Sequence, residues 1–156
     1  MIPLPAAAGA EPTEWRFRVH GRPMPQGSMR ERVVRRRKVG QRTRFIVHDQ
    51  SNRLYVWREN VAASARKSGV GSSHAPPVIM AYAVSLTFFL VHDRPVLTRP
   101  TYKHDLDKLV RAVLDALKGI AWADDGQVVR FDEVEKRWAS ADCPPGVAVT
   151  IRRLPP

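Results

Sequence analysis

The sequence predicts a single α/β (α+β) domain in which two main helices pack on a mixed β-sheet. The chain has 156 residues, which favours one domain, and 44% of them are hydrophobic, which is enough for a real core. Periodicity gives the order strand, basic segment, helix, strand, helix, strand, strand, which is typical of one layered structure. We place the domain at residues 14–154 and expect the Ala/Pro-rich residues 1–13 to be flexible.

The first half of the chain predicts one strand, one turn and one helix. Residues 15–20 alternate apolar and polar side chains, as a strand with one buried face does. Two Pro and two Gly in residues 21–27 end that strand and exclude regular structure. Ser51 is the predicted helix cap, and Ser68-Gly69 is the predicted end. Spacings of three and four place one apolar face on this helix, formed by Leu54, Trp57, Val61 and Ala65.

The next strand and helix are the most apolar elements. Every second residue of 78–90 is large and apolar, which predicts a central strand, with the core favoured over a dimer interface as its partner. A Pro-containing loop follows at 93–103. Asp107 is the predicted cap of the second helix, and Gly119 is its predicted stop. The apolar stripe of this helix consists of Leu109, Val110, Val113, Leu114 and Leu117.

Two further strands complete the predicted sheet. They cover residues 128–138 and 147–152, and Pro144-Pro145-Gly146 separates them. A hairpin is the simplest arrangement for two neighbouring strands joined by such a turn.

The charge of the chain is segregated by sign. The net charge is +11 and the pI is about 10.8, which indicates a polyanionic partner, nucleic acid above all, although ribosomal and membrane-surface proteins are basic as well. Residues 30–44 hold eight basic residues against Glu31 alone, so they carry +7 of the +11. We expect this segment to be a mobile loop or an exposed hairpin that binds phosphates; a solvated loop without a role is the alternative.

A tight acidic cluster interrupts this basic chain. Residues 105–135 hold eight of the fifteen Asp and Glu residues. Asp105 and Asp107 precede the second helix in an extended approach, where side chains two positions apart point the same way, so we expect both carboxylates to face one site. Asp124 and Asp125 return after a helix of about 12 residues, or about 18 Å. Asp125 is therefore a candidate third member.

Carboxylates this close repel one another unless a cation lies between them. Oxygen ligands without thiolates suit Mg²⁺, for which Mn²⁺ can substitute. Such an ion polarises a phosphodiester and lowers the pKa of a bound water. Arg111, four residues after Asp107 on the same helix face, and Lys136 are candidates for steadying phosphate charge. A basic surface with an acidic pocket predicts a metal-dependent nuclease.

A structural interpretation of the same acids stays open from the residues alone. Asp107 can serve only as a helix cap, and Asp124-Asp125-Gly126 can be only a turn. Asp115 can pair with Arg111 or Lys118 on its own helix. The combination of these motifs around one helix in a basic protein favours the functional interpretation.

The remaining composition indicates a reduced setting. Cys143 is the sole cysteine, so the chain contains neither a disulfide framework nor a cysteine-based zinc site. The N-terminus lacks the features of a signal peptide, and no apolar run is long enough for a membrane span. We expect a cytoplasmic protein without membrane contact.

Two segments together resemble the RusA family of Holliday junction resolvases: residues 104–119, HDLDKLVRAVLDALKG, and residues 122–129, WADDGQVV. The family pattern is Asp-Leu-Asp-Asn-Leu, a basic residue two positions on, a helix ending near Asp-Ala-Leu, and then Asp-Asp-x-Gln-Val-Val. Lys136-Arg137 is similar to a basic pair on the following strand, and the Gly-x-Pro-x-Pro-x-Gly of residues 21–27 resembles the family's N-terminal turn.

The resemblance implies a small α/β homodimer, bacterial or phage-encoded, that cuts four-way DNA junctions with Mg²⁺ in recombination and repair. By position, Asp105, Asp107 and Asp125 match the family's metal-binding carboxylates. Arg111 matches its catalytic lysine; arginine keeps the charge but cannot donate a proton near neutral pH, so an electrostatic role survives the change. Asp124 ranks behind these residues as an orienting group.

Basic and aromatic residues complete the candidate site. Trp122 either belongs to the core or stacks on an unpaired base, whereas the other three tryptophans fall on apolar faces. Lys108 stands where the family commonly has Asn and adds a charge beside the site. Lys136 is expected close behind the ligands. The candidate DNA-binding residues are Arg30, Arg32, Arg35, Arg36, Arg37, Lys38, Arg42, Arg44, Lys103 and Lys108.

The leading hypothesis is a Mg²⁺-dependent, structure-selective endodeoxyribonuclease that resolves four-way junctions by paired symmetric nicks, since a two-fold dimer matches the approximate two-fold symmetry of a junction. The alternatives are a non-catalytic protein that binds DNA junctions, and a metal-dependent nuclease that acts on RNA, flaps or other branched nucleic acids.

Overall fold

The computed structural model describes residues 13–27, 49–71, 79–102 and 104–155. Two helices and a mixed four-stranded sheet form there, as the sequence predicts, with a 3₁₀ turn at Asp125–Gln127. The elements are β1 (Glu14–His20), α1 (Asp49–Lys67), β2 (Tyr82–Leu90), α2 (Leu106–Leu117), β3 (Val128–Trp138) and β4 (Gly146–Arg153).

The strand order in the sheet is β1-β4-β2-β3. β4 pairs antiparallel with both β1 and β2, whereas β2 and β3 are parallel. A parallel pair requires a crossover, and α2 supplies it. The chain therefore passes from β2 through α2 and the 3₁₀ turn into β3, which brings both acidic motifs to the two ends of one helix.

The predicted hairpin between the last two strands is wrong, because β2 lies between them. Side-chain polarity explains the arrangement. β2 is buried along most of its length and takes an inner position, as predicted, whereas most of β3 is exposed. An edge position leaves the charged side chains of β3 in solvent, which an inner position would not.

The core lies between the sheet and the two helices. β2 contributes Tyr82, Val84, Leu86, Phe88 and Leu90 to it, which confirms the predicted alternation from residue 82 onward. Full burial of side chains of this size contributes about 1.5–3 kcal/mol each. The helices and the remaining strands contribute Trp57, Val61, Ala65, Leu109, Val113, Leu117, Val19, Val147, Val149 and Ile151.

Both helices begin earlier than predicted. α1 starts at Asp49, so Ser51 lies within its first turn instead of capping it. α2 starts at Leu106, and Asp105 is its cap residue. The Asp105 backbone is extended, and its carbonyl oxygen accepts the first helical hydrogen bond, from the amide of Leu109 at 3.2 Å. Asp107 is therefore a first-turn residue and not the cap.

Other predicted boundaries differ little from the observed ones. α2 ends at Leu117, and Gly119 follows in the left-handed region at φ +79°, as its predicted stop requires. The strand predicted from residue 78 begins at Tyr82. The predictions for segments 1–13 and 30–44 lie outside the described residues, except that the carbonyl oxygen of Thr13 accepts the Arg153 amide at 2.7 Å.

Gly146, at the start of β4, is required by a close approach of two backbones. Its φ is +156°, and a Cβ there would lie 1.9 Å from the carbonyl oxygen of Val19. Gly146→Ala is expected to lower the free energy of unfolding by at least about 2 kcal/mol, because β1 must move away from β4. Urea denaturation measures this change. Gly27→Ala is the matched control, since nothing lies within 4 Å of a Cβ at that position; equal losses in the two variants would contradict the explanation.

Candidate functional site

A groove runs between α2 and β3 and has a volume of about 460 Å³. Its walls are largely apolar, and three of the predicted site residues, Asp107, Arg111 and Asp125, lie among them. The other lining residues are Leu106, Val110, Leu114, Phe131 and Val134. The fold therefore brings one residue from each acidic motif to the same groove.

α2 positions the first two of these side chains. Asp107 lies in its first turn and Arg111 follows four residues later, so the two share a helix face as predicted. Leu109, Val113 and Leu117 anchor the opposite face in the core with no exposed surface. Asp107 thus lies at the positive end of the helix dipole.

The 3₁₀ turn positions Asp125 through its neighbours. Asp124 forms a capping box with Gln127, and its carboxylate accepts the Asp125 amide at 3.0 Å. The side chain of Gln127 makes both further bonds. Its Oε1 accepts the Ala123 amide at 2.8 Å, and its Nε2 donates to the backbone carbonyl oxygen of Met80 at 2.9 Å. Gln127 thus ties the turn to the segment before β2, a role that the sequence interpretation missed although the residue belongs to the resembling motif.

Asp124 itself points to a different partner. Its carboxylate accepts a hydrogen bond from Lys118 at 2.7 Å, which lowers the pKa of Asp124 below its ordinary value. These contacts fit the orienting role that was expected of Asp124.

Asp105 does not line the groove. The helix already begins at Leu106, so Asp105 is extended and Asp107 is helical. The predicted extended segment that carries both side chains is therefore wrong, and only Asp107 lines the groove. Asp105 accepts a hydrogen bond from Lys108 at 2.6 Å, which holds the pKa of this carboxyl below its ordinary value. Lys136 lies nearby and donates to the carbonyl oxygen of His104 at 3.0 Å.

The aspartates of this region fall into those that form a salt bridge and those that form none. Asp105 pairs with Lys108, Asp124 with Lys118, and Asp115 with Arg58. Within the part of the chain that the structure describes, neither Asp107 nor Asp125 forms a salt bridge. The two carboxylates in the groove are thus the ones whose charge no side chain there neutralises by direct contact.

Mg²⁺ is commonly bound by one or two carboxylates together with water and substrate phosphate oxygens, and Asp107 and Asp125 each supply one carboxylate to the groove. Asp107 lies in the first turn of α2 and Asp125 follows its last turn, so the two carboxylates lie towards the two ends of a helix that is about 18 Å long. Residues 13–27, 49–71, 79–102 and 104–155 contain no group of three Asp, Glu, His or Cys side chains close enough to hold a metal ion together.

The model of the family described as "Endodeoxyribonuclease RusA" matches residues 21–152, which is most of the chain. The chain belongs to the RusA family. It is also similar to an uncharacterized protein of Bacillus subtilis (strain 168), YqaN, with 30% identity over 154 residues that cover 89% of this chain and 96% of the relative.

Family membership confirms the resemblance drawn from residues 104–129 and indicates an endodeoxyribonuclease. The eight basic residues predicted at 30–44 to bind DNA, and Lys103, lie outside the described residues. Trp122 is fully buried, so it belongs to the core and does not stack on a base. No helix within the described ranges is long and apolar enough to cross a membrane.

A partly buried hydrogen-bond network links the N-terminal turn of this RusA domain to α2. Arg58 of α1 donates to the carboxylate of Asp115 at 2.7 Å and also to the side chain of Gln26. The Gln26 amide donates to the carbonyl oxygen of Lys108 at 2.9 Å. The salt-bridge partner of Asp115 is thus Arg58 of the neighbouring helix, and not Arg111 or Lys118 as in the alternative interpretation. Sequence spacing cannot reveal a partner on another helix.

Asp115→Ala is expected to lower the free energy of unfolding by about 1–2 kcal/mol, because it leaves a half-buried guanidinium without its carboxylate in a partly solvated place. Urea denaturation at neutral pH measures the change. Asp142→Ala removes an exposed carboxylate and should have little effect. Equal midpoints for the two variants would show that the link contributes nothing to stability.

Proposed function

We propose that this chain is a Mg²⁺-dependent endodeoxyribonuclease that resolves four-way DNA junctions by paired symmetric nicks in recombination and repair. The observation that carries the proposal is the groove that Asp107, Arg111 and Asp125 line, in a chain that belongs to the RusA family. The proposal includes a bacterial or phage-encoded protein that acts in the cytoplasm, and the similarity to a Bacillus subtilis protein supports the bacterial origin.

Asp105, Asp107 and Asp125 are the candidate ligands that the family resemblance implies. Asp107 would contribute one carboxylate to the ion, and water and phosphate oxygens would complete the coordination. When bound, Mg²⁺ supplies charge neutralisation at the phosphodiester and a more acidic water. Arg111 lies in the same groove, so its guanidinium can stabilise the added negative charge on the phosphate. Asp124 and Gln127 hold the backbone that carries Asp125.

A homodimer is part of the proposal. Two symmetric nicks require two grooves related as the two halves of a junction are, and a C₂ dimer supplies that relation. The eight basic residues of segment 30–44, together with Lys103 and Lys108, would bind DNA phosphates without recognising the base sequence.

Asp107→Asn tests the proposal on a synthetic four-way junction with Mg²⁺ or with EDTA. The wild-type protein should produce paired nicks that need Mg²⁺, and the variant should lose at least about 100-fold in rate, because a neutral amide is a poor ligand for a hard cation. Gel electrophoresis of end-labelled strands measures the nicks.

Duplex and flap substrates serve as controls in the same assay. Binding without nicking in Mg²⁺ and in Mn²⁺ would overturn the proposal in favour of a non-catalytic junction-binding protein. Equal cutting of every substrate would contradict junction selectivity.

Arg111 can be tested separately by charge-conserving and charge-removing changes. Arg111→Lys is expected to retain most of the cleavage rate, whereas Arg111→Ala should lose about 100-fold, as removal of one group that stabilises developing charge commonly does. Single-turnover rates on the junction measure both. A fully active Ala variant would exclude a role for this charge.

A further inference from the structure

A second cavity, with a volume of about 410 Å³, lies between the N-terminal turn and the outer face of α1. Its apolar side is formed by Met24, Val56 and Trp57. Val56 is 54% exposed, so its apolar side chain faces the cavity and solvent. Trp57 is only 2% exposed and packs in the core beneath the cavity. The volume falls within the range of about 300–1,000 Å³ that is usual for small-molecule sites.

The polar residues of this cavity carry amide groups or positive charge. Asn52 and Asn60 lie eight residues apart on α1, and Arg22 and Arg53 complete the rim. No carboxylate occurs among the described residues that line it. Asparagine amides both donate and accept, which suits the edge of a nucleobase, and arginine suits a phosphate.

The cavity and the groove lie close to each other. Met24 is two residues before Gln26, whose amide is bonded at 2.9 Å to the carbonyl oxygen of Lys108, the neighbour of Asp107. Two residues extend over at most about 7 Å, so one wall of the cavity lies within roughly 15 Å of the Asp107 backbone. Arg22 also lines a smaller cavity that reaches His104, next to Asp105. One DNA strand a few nucleotides long can reach both places.

We propose that this cavity binds one unpaired nucleobase of the DNA that the groove cleaves. Val56 and Met24 contact the face of the base, Asn52 and Asn60 bond to its edge, and Arg53 and Arg22 hold the flanking phosphates. This inference rests on the proposed function, because it takes branched DNA as the substrate. The crossover of a four-way junction is where bases can leave their stacks, and burial of the face of an unstacked base against apolar side chains is favourable for any sequence.

The test measures junction binding by the full-length Asp107→Asn protein in EDTA, so that cleavage does not contribute. A series of junctions carries an abasic residue at one position near the crossover at a time, which removes the base and keeps the phosphate. One position should weaken binding about tenfold, as loss of a stacked base does. Binding that is insensitive to every abasic position overturns the inference.

Asn52→Ala/Asn60→Ala tests the assignment to this cavity. Both residues are exposed, so the fold should persist, and thermal unfolding checks this. The double variant should bind the intact junction several-fold more weakly and should no longer distinguish the sensitive abasic junction from the intact one. If it keeps the full tenfold difference, the base lies elsewhere and the inference fails.

Arg53→Gln and Arg66→Gln provide a matched pair, since each removes one positive charge from an exposed position of α1 and only Arg53 lines the cavity. Arg53→Gln should weaken binding more than Arg66→Gln; equal effects contradict the cavity. Failure of the Asp107→Asn protein to bind any junction would overturn the proposed function as well, whereas normal binding without abasic sensitivity would overturn only this inference.

Discussion

Burial of one face of α2 in the core that it shares with α1 and the sheet is the constraint on which the rest of the molecule depends. Leu109, Val113 and Leu117 are fully buried, and they belong to the same core as the central strand. The helix therefore has one rotational setting, which points Asp107 and Arg111 into the groove. Because the same helix is the crossover to β3, its far end leads directly into the turn that carries Asp125. One packed element thus sets the positions of both acidic motifs.

The sequence predicts much of this fold because its apolar pattern is strong where the core is. The alternation in β2 and the apolar stripe of α2 identify both elements, and Gly119 marks the end of the helix within two residues. The pairing of the last two strands escapes prediction because neighbours along the chain need not be neighbours in a sheet. Polarity gives a partial signal, since β3 is the strand that best tolerates an edge.

The sequence motifs predict which residues line the groove better than they predict how those residues are arranged. Asp107, Arg111 and Asp125 line one groove, whereas Asp105, the residue before the helix, does not line it. A shift of two residues in a helix start changes which side chains share a face. The contact between Arg58 and Asp115 joins residues that lie far apart in the chain, so no local spacing predicts it.

The salt bridge between Asp105 and Lys108 has a consequence for cation uptake. The ammonium group lies 2.6 Å from the carboxylate, and both side chains are partly in solvent. The chain thus carries its own monovalent counter-ion at the start of α2. A divalent cation that reaches Asp105 would compete with this ammonium group for the carboxylate. Its apparent affinity there is then the difference between two cation contacts, and a side chain at position 108 sets one of them.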